Sequence, residues 1–288
     1  HVVSTCSTPW REEDIGSDGK MWWNGISYET VNSYSCIKIP PPLSHRIRNH
    51  AKAQLRLPAQ IRALLEEESF DALYLYLRAA SSIYPLLRVA AKLKVPVFTD
   101  QVEWFTPKAF AWGKFDLRFY DETLGRRLLL SRVRAATAIS TFIERKFISS
   151  GKPCLLLPSV YDFEKAIALK PTLTRQNGSE CFKVIYAGTC KVGDGFNSLL
   201  KAIKLARQQG CPLILSIVGT DGRRGRALKM RKIIEADQAL RGNVDFLGRL
   251  SEEEYPVTLA SVDCLVLPRP KTQIVEAAFP TRLPEFLG

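Results

Sequence analysis

Near the end of the chain, the run Phe279-Pro280-Thr281-Arg282-Leu283-Pro284-Glu285 brings a hydroxyl, a fixed cation and a carboxylate within reach of one another. A proline in the first turn of a helix gives up nothing, because its N–H would have no partner there. The free N–H groups of that turn and the Thr281 hydroxyl could hold a phosphate, with Arg282 adding positive charge. Glu285 follows Arg282 by three positions and Thr281 by four, which puts all three on one helical face. A carboxylate so placed could accept both hydroxyls of a ribose. The plainer alternative is an exposed Arg282–Glu285 ion pair.

A second candidate is the stretch KVIYAGTCKVGDGFNSLLKAIKLARQQ at 183–209. It reads as a strand, a turn carrying Gly188, Gly193 and Gly195, and a helix whose Phe196, Leu199, Leu200 and Ile203 recur at helical spacing before Gly210. A glycine turn between strand end and helix start lets backbone N–H groups approach a phosphate, with Thr189 and Lys191 beside it. Gly219 ends a later strand and opens TDGRRG; Leu247-Gly248-Arg249 and Arg269 of LPRP follow strands of their own. A nucleotide diphosphate is the ligand expected here. The dinucleotide fingerprint of oxidoreductases fails, because Ser198 stands where Gly193-Asp194-Gly195 would need its third glycine.

In the first half, DQVEW places Asp100 and Glu103 after a strand's carboxyl end, where either could orient or deprotonate an acceptor hydroxyl. A structural role beside Trp104 is the alternative. His1, His45 and His50 show no metal-ligand spacing, and no metal ion is expected.

The elements that must position these residues alternate between strands and helices. The first half gives a helix over 44–68 that Pro58 should kink or split, a strand at 71–77, a helix at 85–93 and a strand at 95–100. An irregular aromatic segment at 101–121 leads to a helix at 122–134, a strand at 136–140, a helix at 141–149 and a strand at 153–158. Before them, HVVST, MWWNGISYETV and CIKI suggest short strands. The second half gives strands at 183–187, 213–218, 244–247 and 264–267, with helices at 196–209, 226–240, 251–260 and near Pro280. Repeated strand-then-helix units with near-continuous apolar strands predict parallel sheets covered on both faces. The expected domains are 1–168 and 182–288, joined by a polar linker at 169–181. The abrupt start at His1 and the stop at Gly288 inside a helix suggest incomplete units at both ends.

Composition narrows the class. The 288 residues are 46% hydrophobic and 24% charged, as in ordinary globular proteins, and no apolar run reaches membrane-spanning length. The formal charge of +12 is spread: residues 1–168 hold 23 Lys and Arg against 17 Asp and Glu, and residues 169–288 hold 18 against 12. Such a field suits phosphate-bearing ligands or an anionic membrane surface, while no long basic run or aromatic platform points to nucleic acid. Seven cysteines, odd in number and without a CxxC pair, favour a reducing compartment, the cytoplasm.

Four segments in order, VIYAGTCKVGDGFNSLLKAI, LILSIVGTDG, VDFLGRLSEEEYPVTLASVDCLVLP and FPTRLPEFLG, resemble the nucleotide-sugar-binding domain of retaining GT-B-fold glycosyltransferases of the family-four type. DALYLYL, VPVFTDQVEW, ATAISTFIERKF and LPSVYD match that family's other domain more loosely. The resemblance implies two Rossmann-like domains facing across a cleft. It also implies transfer of a sugar, with retention, from a nucleotide diphosphate sugar to a glycan or lipid-linked hydroxyl. A role in polysaccharide assembly and peripheral attachment to the inner membrane face would fit. Glu285 would hold the ribose, and Gly188, Thr189, Lys191, Gly219, Gly248, Arg269, Thr281 and Arg282 would line the donor site. The chain departs from the family twice: Thr189 replaces an arginine, and Ala277 stands where a second glutamate is usual, leaving Glu276 as its displaced candidate. A non-catalytic nucleotide-binding double-Rossmann protein and a basic membrane-surface module stay open as alternatives.

Overall fold

The apolar runs between glycine and proline punctuation become two separate four-stranded parallel sheets. The computed structural model describes residues 2–4, 21–23, 26–30, 43–68, 70–160, 181–190, 195–223 and 225–287. Most of the expected linker and the CIKI segment lie outside them. The chain divides into two compact units, His1–Leu157 and Pro158–Gly288.

In the first unit, β1 (Val2–Ser4) pairs in parallel with β3 (Ile26–Thr30), which pairs antiparallel with β2 (Met21–Trp23). The main sheet runs β4 (Leu73–Leu75), β5 (Val97–Gln101), β6 (Ala135–Ala138), β7 (Cys154–Leu156) in sequence order. Its burial alternates. Val97, Thr99 and Gln101 are buried on β5 while Phe98 and Asp100 are half-buried, and Tyr74, Tyr76 and Leu155 are exposed. The expected coverage of both faces therefore fails in this unit. Thr99 and Gln101 remain inside because they are bonded: Thr99 Oγ1 donates to the Leu75 carbonyl at 2.9 Å, and Gln101 Nε2 to Thr99 Oγ1 at 3.0 Å.

The helices of this unit are α1 (Leu43–Glu67), α2 (Ala80–Leu93), α3 (Leu117–Arg132) and α4 (Thr141–Ser149). Helix α1 runs through Pro58 without splitting. Helix α2 starts five residues before the expected Pro85, which lies inside it. Its first turn is capped from outside, as Asp121 of α3 accepts from the Ser81 N–H at 2.9 Å and its hydroxyl at 2.7 Å. Helix α3 also begins earlier than expected, because Asp116 caps it by accepting from the Arg118 N–H at 3.1 Å. Arg118 holds the Asp116 carboxyl down at about 2 through its side-chain bonds. The close approach of α3 to the start of α2 requires Gly125, where a Cβ would lie 1.9 Å from the Arg78 carbonyl oxygen.

The second unit holds β8 (Phe182–Ala187), β9 (Leu213–Val218), β10 (Val244–Gly248) and β11 (Cys264–Leu265), in the order β10-β9-β8-β11. Here Val184, Ile185, Tyr186 and Ala187 are all buried, as a sheet covered on both faces demands. Helices α5 (Phe196–Gln208) and α6 (Gly225–Ala236) bury Phe196, Leu199, Leu200, Ile203, Met230 and Ile234 against Val184, Leu215 and Ile217. The short helices α7 (Glu254–Ala260), α8 (Gln273–Glu276) and α9 (Arg282–Leu287) complete it.

Candidate functional site

The sequence directs attention to the carboxyl ends of the second unit's strands. There the sheet's ladder continues into the loops: the Gly188 N–H donates to the Val218 carbonyl at 2.8 Å and the Gly219 N–H to the Gly248 carbonyl at 2.7 Å. The N–H groups of Gly188 and Gly219 are thus engaged, and the space beside the Gly188 Cα is taken by the Tyr186 ring, whose hydroxyl would lie 2.5 Å from a Cβ there. Gly219 needs its freedom, since its φ is 105° and a Cβ would lie 3.1 Å from the Gly188 oxygen. Thr189 is exposed, and the buried Cys190 behind it has a left-handed φ of 57°. Lys191 lies outside the described residues.

Gly195 has a different task from the one its turn suggested. With φ at 74°, it is so close to the following loop that a Cβ would lie 1.4 Å from the Pro268 oxygen. It seats the Pro268–Pro270 segment and positions Arg269.

Arg269 then meets residues that follow it in sequence by a dozen positions. A pocket of about 210 Å³ is lined by Ala187, Pro268, Arg269, Phe279, Thr281 and Arg282 among others. Two arginines and a threonine thus line one cavity at a strand end, a residue set whose chemistry suits an anion. Helix α9 begins at Arg282, close to the expected Pro280, whose carbonyl accepts from the Leu283 N–H at 2.8 Å. With only six residues it supplies little dipole, so the side chains must carry the charge.

Glu285 is held beside this pocket. One of its oxygens, Oε2, accepts from Arg282 Nη1 at 2.7 Å and from the Tyr255 hydroxyl of α7 at 3.0 Å. The Arg282 guanidinium also lies over the Tyr255 ring, 5.6 Å from its centre. Burial, reinforced by the Glu285 charge, raises the Tyr255 pKa, so the phenol stays a proton donor. The Arg282–Glu285 pair foreseen as the plain alternative is therefore present, with a tyrosine added to it.

Glu276 is exposed at the end of α8, and Ala277 beside it is fully buried. The two face different surroundings. Gly248 is half-buried with φ at 78°, and Arg249 after it is exposed.

In the first unit, Glu103 follows the carboxyl end of β5 as expected, whereas Asp100 lies within the strand, and both carboxylates have partners. Thr137 Oγ1 donates to Asp100 Oδ1 at 2.6 Å. Its single proton is thereby committed, so the Tyr74 hydroxyl, 2.6 Å from Thr137 Oγ1, must be the donor in that bond. Glu103 pairs with Arg78, whose guanidinium lies 4.6 Å from the centre of the Phe105 ring. Trp104 packs edge-on against Phe142 at 5.7 Å and lies under Arg126 at 4.9 Å. Burial raises the Glu122 pKa, opposed by Arg78 and Arg126.

Sequence reasoning missed Tyr255, Tyr74 and Thr137, whose partners lie 30 or more residues away. Arg78, which ends the run DALYLYLR, carried only the signal of a cation just past an apolar strand. Among the described residues, no cluster of His, Cys, Asp or Glu is placed to hold a metal ion, and none of the five described cysteines forms a disulfide.

No protein-family model matches the chain, and no curated protein matches it. Solved structures do. Sucrose-phosphate synthase from Thermosynechococcus elongatus superposes with a TM-score of 0.58 at 14% identity, over 87% of this chain and 62% of its own. The HepE protein of Anabaena, in complex with UDP, gives 0.53 at 16% identity over 80% and 65%. A glycosyltransferase from Rickettsia africae gives 0.53 at 11% identity over 83% and 63%. The fold is of the GT-B type. Its two Rossmann-like units are those found in such enzymes, and the chain spans about three fifths of the length of these structures.

Proposed function

We propose that this GT-B-type chain is the core of a glycosyltransferase of the family-four type. It moves a sugar from a nucleotide diphosphate sugar to an acceptor hydroxyl with retention. The observation that carries this reading is the convergence of Arg269, Thr281 and Arg282 on one pocket beside the tethered Glu285. The bound UDP in the HepE structure makes a uridine diphosphate the first ligand to try.

In this reading, Arg269 and Arg282 stabilise the charge of the departing diphosphate, and the Thr281 hydroxyl donates to a phosphate oxygen. Lys191 adds a cation from the glycine turn. Glu285 keeps Oε2 on Arg282 and Tyr255 and turns Oε1 to the ribose hydroxyls. Gly188, Thr189, Gly219 and Gly248 form the floor, and Glu276 reaches the transferred sugar. Asp100 or Glu103 orients the acceptor, a glycan or lipid-linked hydroxyl. With two arginines at the phosphates, no metal ion is required.

The test is calorimetric titration of UDP into the wild-type chain and into Glu285→Ala. Loss of the ribose acceptor should weaken binding about 10- to 150-fold, the equivalent of about 1.5–3 kcal/mol for hydrogen bonds to a charged group. Equal affinities, or no binding by the wild-type chain, would sink the assignment. A second reading, nucleotide binding without transfer, draws on the ion pair between Glu103 and Arg78 and the bond from Thr137 to Asp100. Release of UDP from UDP-sugars in the presence of acceptors separates the two.

A further inference from the structure

The loop that leaves β9, Gly219–Arg223, doubles back on β10. Thr220 and Gly248 form an isolated antiparallel bridge, and the register between β9 and β10 slips between Phe246 and Gly248. Such irregularities re-aim side chains and collect beside working sites. The loop's own bonds are local: the Asp221 carboxylate accepts from the Arg223 N–H at 2.9 Å, and the Gly222 N–H donates to the Thr220 hydroxyl at 3.4 Å. In and just after the loop, Gly219, Gly222 and Gly225 take φ of 105°, 69° and 55°. A backbone so rich in glycine has much freedom to lose when it is ordered.

The anchor comes from outside the loop. On α6, the Arg231 guanidinium lies 4.9 Å from the centre of the Phe246 ring, and its Nη2 donates to the Asp221 carbonyl at 2.8 Å. Gly222 packs so closely that a Cβ on it would lie 2.6 Å from Arg231 Nε and 3.1 Å from Phe246 Cδ1. One planar group thus fastens the loop to β10, by stacking and by a charge-assisted bond. The arrangement has a cost, because the buried Nε–H finds no acceptor among the described residues. A methionine would fill the space over Phe246 without stranding a donor, so stability alone does not account for an arginine here. What the guanidinium adds is a fixed place for the loop. Gly219 at the loop's head abuts the Gly188 oxygen, and Gly188 directly follows Tyr186 and Ala187, which line the strand-end pocket.

We propose that Arg231 is a positioning residue for nucleotide binding: it holds the Gly219–Arg223 loop on β10, so that the floor beside the strand-end pocket is in place before the diphosphate arrives. Arg231 touches no ligand in this role and acts through the loop. The role rests on the nucleotide reading above, and the experiment separates the failure of one from the failure of the other.

UDP is titrated calorimetrically into the wild-type chain, Arg231→Met, Arg231→Lys and Lys229→Gln, the last removing an exposed cation of the same helix. Amide exchange at Gly219 and Gly222 is followed with and without UDP. With the binding-competent loop reduced to about a tenth of the population, Arg231→Met should bind UDP about 10-fold more weakly. Arg231→Lys should lose nearly as much, because an ammonium keeps the charge but cannot lie flat on the ring and reach the carbonyl together. Lys229→Gln should match the wild type. The two amides should exchange faster in Arg231→Met, and UDP should bring them back toward the wild-type rate, a response that a purely structural arginine would not give. Equal UDP affinity in the wild type and Arg231→Met, or full rescue by lysine, overturns the role of Arg231 and leaves the nucleotide reading standing. No binding by the wild-type chain removes the nucleotide reading and this role with it. Unchanged exchange in ligand-free Arg231→Met overturns the clamp by itself. Arg231→Lys, the smaller change, serves in every comparison if Arg231→Met melts early.

Discussion

The two parallel sheets have the same strand count and differ in how they are clad. In the second unit, β8 is buried on both faces along Val184–Ala187, whose side chains are apolar apart from the Tyr186 hydroxyl. In the first, β5 alternates, with the bonded polar pair Thr99 and Gln101 inside and Asp100 on the half-open face. The centre of the second unit's sheet is covered on both faces, and the candidate anion pocket lies at its strand ends. The half-open sheet also displays functional groups across its face, through the Tyr74–Thr137–Asp100 chain.

All five tryptophans, Trp10, Trp22, Trp23, Trp104 and Trp112, precede residue 158, so their fluorescence follows the first unit while circular dichroism follows both. The largest expected effect is that of Gly195→Ala, which forces a Cβ into the Pro268 carbonyl from a left-handed backbone. It should destabilise the second unit by more than about 3 kcal/mol. The dichroism transition should move to lower urea and leave the tryptophan transition in place; a shift of both would show that the units unfold together.

Leu215→Ala, at a fully buried position of β9, should cost about 3 kcal/mol, whereas Leu155→Ala, 63% exposed on the open face of β7, should stay within about 0.5 kcal/mol. Similar losses at the two sites would break the contrast between the sheets. The smallest effect concerns acid. Asp116 has its pKa depressed to about 2 in the folded chain, so the stability it contributes is present above the ordinary carboxylate range and is lost as the pH falls from about 4 to 2. Asp116→Asn should flatten that part of the acid unfolding curve followed by tryptophan fluorescence. An unchanged curve would leave the cap without an electrostatic role.

Much of the second unit was legible because its strands are predominantly apolar runs ended by glycine or proline, and α5 repeats its apolar residues at helical spacing. The start of α2 was not, since its cap, Asp121, lies 40 residues away and Pro85 reads as a beginning. The open face of the first sheet was missed for a related reason: Tyr74, Tyr76 and Leu155 look like core residues in a sequence, and only tertiary placement shows them exposed. Within the candidate site, Arg269, Thr281 and Arg282 announced themselves by strand-end and helix-start chemistry. Tyr255 did not, because nothing near it in sequence marks its bond to Glu285. Gly195 was recognised as a turn glycine, but its close approach to Pro268 belongs to the fold.

The double hold on Glu285 Oε2 has a consequence for how a ligand is received. A free glutamate on a surface samples several rotamers, and fixing it on binding costs up to about 2 kcal/mol in side-chain entropy. With Arg282 at 2.7 Å and Tyr255 at 3.0 Å on the same oxygen, that ordering is already done when the protein folds. The other oxygen stands at a set place before any ligand arrives; under the proposed function, selectivity at Glu285 is then geometric, with a diol that fits meeting an acceptor already tied to Arg282 and Tyr255.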